Sequence, residues 1–368
     1  MLAGGTDLLY RQALAAGHEP YVRIEVWRAD ERLETDLVFV NGTVTATLTS
    51  RVARTCTLTV HEDLYPFNDD GLLNPFGNEL RVFAGVVFAD GERYIWPVFV
   101  GKIVEAALGE GDCQIVASDR AAEVEDAAFI APENSTVGAP VVDEFQRLVS
   151  DGVPGALFGT SDSFFQVMPV LTWEHDRAGA LDEMATSVGA FWYPLADGQF
   201  VLRKIPWTVA GEPLVTLTDE DGGSITSSSA VRSRETVFNS VTVTGERPDG
   251  TVPVFHTAED SNPDSPTYTG GPFGVRNKLV QLDTPSTPDG AREAAESYLR
   301  RTTAFTEAWT FSCAPDAALE LGDILRLDVR GRVDIRQVVA SFSLPLTPGN
   351  EMRVQCRAQV IGALEAVA

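Results

Sequence analysis

The residues able to do chemistry are few, and they are scattered. Four histidines, His18, His61, His175 and His256, lie far apart. None forms the H-x-x-x-H or H-E-x-x-H spacing that sets two imidazoles on one helix face around a metal. The GTSDS stretch at 159 to 163 offers a serine beside an aspartate. It lacks the flanking glycine of a nucleophile elbow, so it reads as a turn. Carboxylates cluster at Asp69-Asp70, Asp182-Glu183 and Asp219-Glu220-Asp221. Glycoside hydrolysis needs two carboxylates facing each other across a cleft, which adjacency in sequence does not supply. With 53 acidic residues in the chain, such clusters follow from composition alone. No P-loop or dinucleotide fingerprint is present, so the sequence predicts no catalytic residue, no metal site and no cofactor. NGT at 41 and NST at 134 match the glycosylation sequon, which carries no weight without a secretory context.

The four cysteines, Cys56, Cys113, Cys313 and Cys356, are too few and too widely spaced for a disulfide framework or a C-x-x-C zinc site. In RTCTLTV, GDCQIVA, WTFSCAP and MRVQCRA each shares the alternation phase of apolar neighbours, so each is expected as a small core residue. A disulfide within each pair stays open, against the expectation of a reducing compartment. The net charge of −25 repels nucleic-acid phosphates, and Arg300-Arg301 and Arg203-Lys204 are isolated basic pairs, so specific nucleic-acid binding is not expected. A negative wall would let a polyanion slide past without sticking. No apolar run approaches the roughly 20 residues that cross a bilayer. The N-terminal MLAGGTDLLYRQALAAG lacks a basic stretch followed by an apolar core, so no signal peptide and no membrane insertion are expected.

Elements that could position any site follow from periodicity. A helix is expected around Leu8 to Ala16, within an N-terminal arm at 1–20. Residues 21–120 read as a β unit, with strands at Tyr21 to Trp27, Leu37 to Val40, Thr43 to Thr49 and Arg54 to Val60. A hairpin follows in NELRVFAGVVFADGERYIWPVFVGKI, where Asp90-Gly91 supplies the turn. Residues 121–205 read as a small α/β unit. VVDEFQRLVSDG carries Val142, Phe145, Leu148 and Val149 on one side, and DRAGALDEMATSVG carries Leu181, Met184, Ala185 and Val188 behind an Asp176 N-cap. A hairpin turning at Asp197-Gly198 closes that unit. β patterning resumes at 206–245, in PLVTLTD and VFNSVTVTGE, and again at 300–368. Between them, 246–299 reads as an insertion. It holds a long loop rich in Pro, Gly, Ser and Asp, then a helix opened by Thr287-Pro288 with Ala291, Ala294, Ala295, Tyr298 and Leu299 on its buried side.

The two β regions resemble each other. One runs from Cys56 through GNELRVFAG and VGKIVEAALGEGDCQIVA; the other runs from Cys313 through LGDILRLDVRG and VVASFSLPLTPGNEMRVQCRA. In each, a cysteine strand precedes a Gly-polar-apolar strand and a hairpin whose last strand carries the second cysteine. The longer spacing of the first falls mainly in LYPFNDDGLLNPF, a loop-like stretch where insertion costs little. An internal duplication of one barrel is expected, against chance repetition of generic β patterning.

The order of parts resembles the tail hub proteins of tailed bacteriophages, a family related to the hub half of the type VI secretion spike. The matching segments are NPFGNELRVFAG with PVFVGKIVEA and SDRAAEVEDA for a first hub barrel, TWEHDRAGALDEMATSVGAFWYPLADGQFVLRK for a lateral helix-and-hairpin domain, and FNSVTVTGE with ALELGDILRLD for a second barrel. The resemblance implies a mainly β fold of two tube-type barrels, a lateral α/β domain and an insertion. It also implies a non-enzymatic homotrimer in which six barrels adapt a sixfold tail tube to a threefold tip around a DNA channel. The implied partners are a distal tail protein ring, a spike or fibre protein and the tape measure protein, and the implied place is the virion, after synthesis in a bacterial cytoplasm. Hub proteins of long-tailed phages often continue into fibre or lysin modules; none is expected on this chain. A carbohydrate-binding adhesion protein is the alternative, using Trp173, Trp192 and Trp207 to stack on sugars, though their apolar neighbours favour core packing. A wall-degrading enzyme using a carboxylate pair is the third reading.

Overall fold

The computed structural model describes residues 8–16, 19–88, 91–204, 212–245, 254–282, 287–303 and 307–358. His18, Asp90 and Trp207 lie outside the described residues. The chain opens with α1 (Leu8–Ala16), then β1 (Glu19–Arg28), β2 (Glu31–Glu34), β3 (Asn41–Thr47), β4 (Arg54–His61), β5 (Asn78–Val87), β6 (Arg93–Leu108) and β7 (Asp112–Asp119). A mixed segment follows: α2 (Ala121–Asp126), β8 (Glu133–Asn134), α3 (Val141–Gly152), β9 (Thr172–Trp173), α4 (Arg177–Ser187), β10 (Phe191–Pro194) and β11 (Phe200–Arg203). Next come β12 (Val215–Thr218), β13 (Ile225–Val231), β14 (Ser240–Gly245), β15 (Val254–Glu259), β16 (Asn277–Gln281) and α5 (Pro288–Thr303). The last strands are β17 (Ala308–Cys313), β18 (Ile324–Val329), β19 (Arg332–Pro345) and β20 (Met352–Ala358).

Thirteen strands join one hydrogen-bonded sheet ordered β13-β17-β20-β19-β3-β4-β7-β6-β5-β1-β2, with β18 pairing β19 and β12 pairing β18. Two tube-type barrels are the expectation from sequence; among the described residues no sheet closes, and β19 pairs onward to β3 and so fuses the two β regions. One apolar cluster accordingly runs from Tyr10 to Cys356. Within each region the strand order is the same. β3-β4-β7-β6-β5-β1 is followed in the N-terminal region, β13-β17-β20-β19-β18-β12 in the C-terminal one. The outermost strands differ in direction: β1 is antiparallel to β5, whereas β12 is parallel to β18.

Irregularities also recur at matching places. β6 bulges against β7 between Ile103 and Glu105, and β19 against β20 between Val339 and Ser341. β5 slips against β6 after Val82, and β18 against β19 after Leu327. A bulge bends its strand and raises its twist, which lets one long strand serve two neighbours in turn. With the bulges in step, Leu80 matches Leu325 and Gly77 matches Gly322; both glycines have positive φ, at 113° and 83°. The cysteines do not match. Trp309 holds the place of Cys56 and Met352 that of Cys113, because the apparent repeat is four residues out of step, a shift that preserves the face. All four are free and buried, and burial pushes the thiols of Cys56, Cys313 and Cys356 up.

Two smaller bodies flank the sheet. In the first, α2, α3 and α4 pack around Phe145, Leu148, Leu181 and Met184. Asp176 caps α4, its carboxylate accepting from the Gly179 N–H at 2.7 Å. The β10–β11 hairpin is a two-sided wall. Trp192, Phe200 and Leu202 face the helices, while Tyr193 and Val201, one residue out of phase, join the main core. In the second body, α5 lays Ala294, Ala295 and Leu299 on a three-stranded sheet ordered β15-β14-β16, and Ala291 on the same helix is buried.

Three segments differ from expectation. Leu37 to Val40 is not a strand; Leu37 is buried and donates to the Ile24 carbonyl, but Val38 and Val40 are exposed. FNSVTVTG does not extend the second β region, because β14 is the centre of the small sheet, where Val241 and Val243 meet α5. The stretch read as a long loop contains β15 and β16, and polar side chains hold the turn between them. Asn239 Nδ2 donates to the Thr267 and Gly274 carbonyls at 2.7 Å each, and the Asp260 carboxylate accepts from the Ser265 and Thr267 hydroxyls at 2.5 Å each.

Candidate functional site

Several of the residues flagged as possible chemistry are held in structural bonds. Ser161 Oγ accepts from the Leu202 N–H at 3.0 Å and the Asp162 carboxylate from the Lys204 N–H at 2.7 Å, so GTSDS caps the edge of β11. Asp182 accepts from Arg51 at 2.6 Å and from the Trp192 indole at 2.7 Å. Asp219 accepts from the Arg330 N–H at 3.0 Å, and the carbonyl of Asp69 receives Asn74 at 2.9 Å. His61 is exposed beside Asp63, and His256 lies on β15 in a different sheet. Among the described residues no group of three or more His, Cys, Asp or Glu could hold a metal, and no helix is long and apolar enough to cross a membrane. Trp173 and Trp192 are buried in the helical body, which removes them as a sugar-stacking surface.

What the fold concentrates instead is machinery for joining parts. Arg54 opens β4 and is fully buried. Its guanidinium forms an ion pair with Glu320, in the turn before β18, and donates to the Pro194 carbonyl of the hairpin at 2.7 Å. Its backbone N–H donates to the Asp119 carboxylate at 2.6 Å, and Asp119 also accepts from Ala121 N–H at 3.0 Å, where α2 begins. One side chain therefore ties the N-terminal β region, the C-terminal β region and the helical body together. Burial pushes Asp119 up to about 7, against the backbone N–H bonds and the Arg54 charge that favour its ionised form. A second junction links α1 to the C-terminal region: Tyr10 donates to Asp316 at 2.9 Å and Arg11 pairs with the same carboxylate. Burial, first of all, pushes the Tyr10 hydroxyl up. Sequence reasoning missed Arg54, since a lone arginine at a strand start has no pattern.

The seam between the β regions is an antiparallel strand pair. β19 meets β3 with Ser341 opposite Thr47, Phe342 opposite Ala46, Ser343 opposite Thr45 and Leu344 opposite Val44. Phe342, Leu344, Ala46 and Val44 point inward and are buried. The outer surface of the N-terminal region has a different character. Arg81 lies over Trp27 at 3.9 Å and Arg23 over Phe83 at 4.6 Å, with Glu25 and Glu79 pairing these arginines. These guanidinium–ring stacks cover that part of the sheet face with charge.

Sequence comparison matches no protein-family profile and no curated protein. Structure comparison does find proteins of similar fold. A tail protein from Neisseria meningitidis matches with a TM-score of 0.65 at 16% identity, covering 93% of this chain and 97% of its own. A 43 kDa tail protein of prophage MuSo2 from Shewanella oneidensis matches with a TM-score of 0.62 at 14% identity, covering 92% and 98%. A component of the type VI secretion system from E. coli, itself described as similar to tail proteins of bacteriophage T4, matches with a TM-score of 0.50 at 9% identity, covering 93% and 75%. The chain has the β-rich fold shared by these tail and type VI spike proteins.

Proposed function

We propose that this chain is a structural hub protein of a bacteriophage tail or a phage-like particle, without enzymatic activity. The observation that carries the reading is the repeated strand order of its two β regions, fused through β19 and β3 in a fold shared with tail proteins. A doubled tube-type unit gives a trimer six copies of that unit, so three chains can meet a sixfold tube above and a threefold tip below. Residues 21–120 supply the first unit. The strands at 212–231 and 308–358 supply the second, and residues 121–205 form the lateral domain. The net charge of −25 suits a ring through which DNA passes without adhering. A distal tail protein ring, a spike or fibre protein and the end of a tape measure protein are the partners this placement calls for, and the virion is its location.

The test is electron microscopy and mass measurement of the purified chain, alone and with the distal tail protein of the same particle. Threefold rings with a quasi-sixfold lumen are the expected result. Monomers under both conditions would overturn the reading. The adhesion alternative finds no support in the buried Trp173 and Trp192.

A further inference from the structure

The seam between β19 and β3 uses only half of an interaction that the repeated strand order makes available twice. β19 pairs β18 along its first half, and beyond its bulge the same edge takes up β3, from Ser341 to Pro345. β6 is built alike: its edge pairs β5 as far as Lys102. Beyond the bulge, from Glu105 to Leu108, that edge meets no strand among the described residues. β13, which holds the place of β3, ends the sheet and, among the described residues, pairs only β17. Arg330 binds the carbonyl of Ser228 in the middle of β13, and from Ser229 onward no strand pairs that outer edge among the described residues.

We propose that β13 of one copy adds antiparallel to the free edge of β6 in a second copy, with Glu105 opposite Ser233, Ala106 opposite Arg232, Ala107 opposite Val231 and Leu108 opposite Ala230. This pairing rests on the ring reading above and specifies its chain-to-chain contact. The register comes from carrying the β19–β3 pairs across the aligned bulges. Burial supports it. Leu344, inside the seam, is 2% exposed, whereas Leu108 in the matching place is 49% exposed. Ala230, Val231 and Arg232 are exposed, while Val44 and Ala46 in the matching places are buried. The inward pairs also balance in size. Phe342 against Ala46 becomes Ala106 against Arg232, whose aliphatic stem can cover the alanine while its head stays with Glu307 at 3.3 Å. Strand addition of this kind satisfies the open N–H and C=O row of both edges. The two edges are different surfaces, so the contact is head-to-tail, and rotation closes it into a ring.

The experiment mixes two single-cysteine variants, Ala107→Cys and Val231→Cys, under mild oxidation, so that any disulfide must cross chains. The four native cysteines are buried and give little background. A disulfide-linked pair is expected, at least tenfold more abundant than from Ala106→Cys mixed with Val231→Cys, whose side chains fall on opposite faces. Leu108→Asp should abolish oligomers in mass photometry while leaving the thermal transition of the monomer unchanged. Rings that form with no 107–231 disulfide, or that survive Leu108→Asp, overturn this pairing and leave the ring reading standing. Monomers with no disulfide, both alone and with the distal tail protein present, overturn both.

Discussion

The two β regions reach the same strand order by different packing. Where β19 turns its edge to β3, Leu344 is enclosed; where β6 turns the matching edge outward, Leu108 is half exposed. At the start of β4 a fully buried Arg54 binds three parts of the chain, while the matching position before β17 holds Glu307, shared between the exposed Arg232 and Arg332. Hairpin patterning therefore sets the order of strands, but the fate of each position depends on which neighbour the sheet acquires. Each region has one edge finished by contacts inside the chain, β3 in the first and β19 in the second, and one turned outward, β6 beyond its bulge in the first and β13 in the second.

The strongest way to break this contrast is at Arg54. Arg54→Met leaves Glu320 buried without its partner, and removal of one member of a buried pair costs about 3–5 kcal/mol. Urea denaturation should show this as a fall in midpoint with an unchanged slope. Replacing both Arg54 and Glu320 with methionine should recover most of the loss, since it is the orphaned charge that is expensive. A cost below about 1 kcal/mol for the single variant would mean that Arg54 does not hold the three parts together.

The seam offers the next test. Leu344→Ala should cost about 2–5 kcal/mol, by lost burial and the cavity left behind. Leu108→Ala should cost about 0.5 kcal/mol or less in the monomer, because its side chain is half solvated there. Equal costs at the two positions would erase the distinction between an enclosed and an open edge.

How much of this was legible in the sequence follows from the range of the interactions. The hairpin arms, the helix faces around Phe145 and Met184, and the Asp176 cap depend on residues within a few positions of one another, and they can be read directly. The GNELRV and GDILRL strands could be matched because a positive-φ glycine and a buried leucine recur at one spacing. The cysteines misled by four residues, since period-two patterning cannot tell one inward position from the next. β13 escaped notice because ITSSSAV is mostly exposed and carries three serines in place of an apolar alternation, as befits an open edge. The fusion of the two regions through β3 joins residues about 300 positions apart, and no local pattern announces it. Arg54 was hidden for the same reason: its three partners come from three distant segments.

Asp119 gives the contrast a pH signature. Its folded value is raised to about 7 from 3.8, so between those limits the folded chain keeps a proton that the unfolded chain has released. Stability from this group is therefore complete below about pH 4 and is lost progressively as pH rises through about 7. Asp119→Asn should flatten that slope in denaturation series at fixed salt. A slope of the opposite sign would mean that Asp119 is held ionised throughout.

The smallest effect is expected at Glu307, in the place that matches Arg54. Its carboxylate meets Arg232 at 3.3 Å and Arg332 at 3.2 Å, but both arginines are largely solvated. Exposed pairs of this kind gain little, because water screens the charges and two long side chains lose freedom to hold one geometry. Glu307→Ala should therefore cost about 0.5 kcal/mol or less in the monomer, and high salt should remove even that. A loss of 2 kcal/mol or more would show that the C-terminal region is also held by a structural charge, and the two regions would then differ only in their edges.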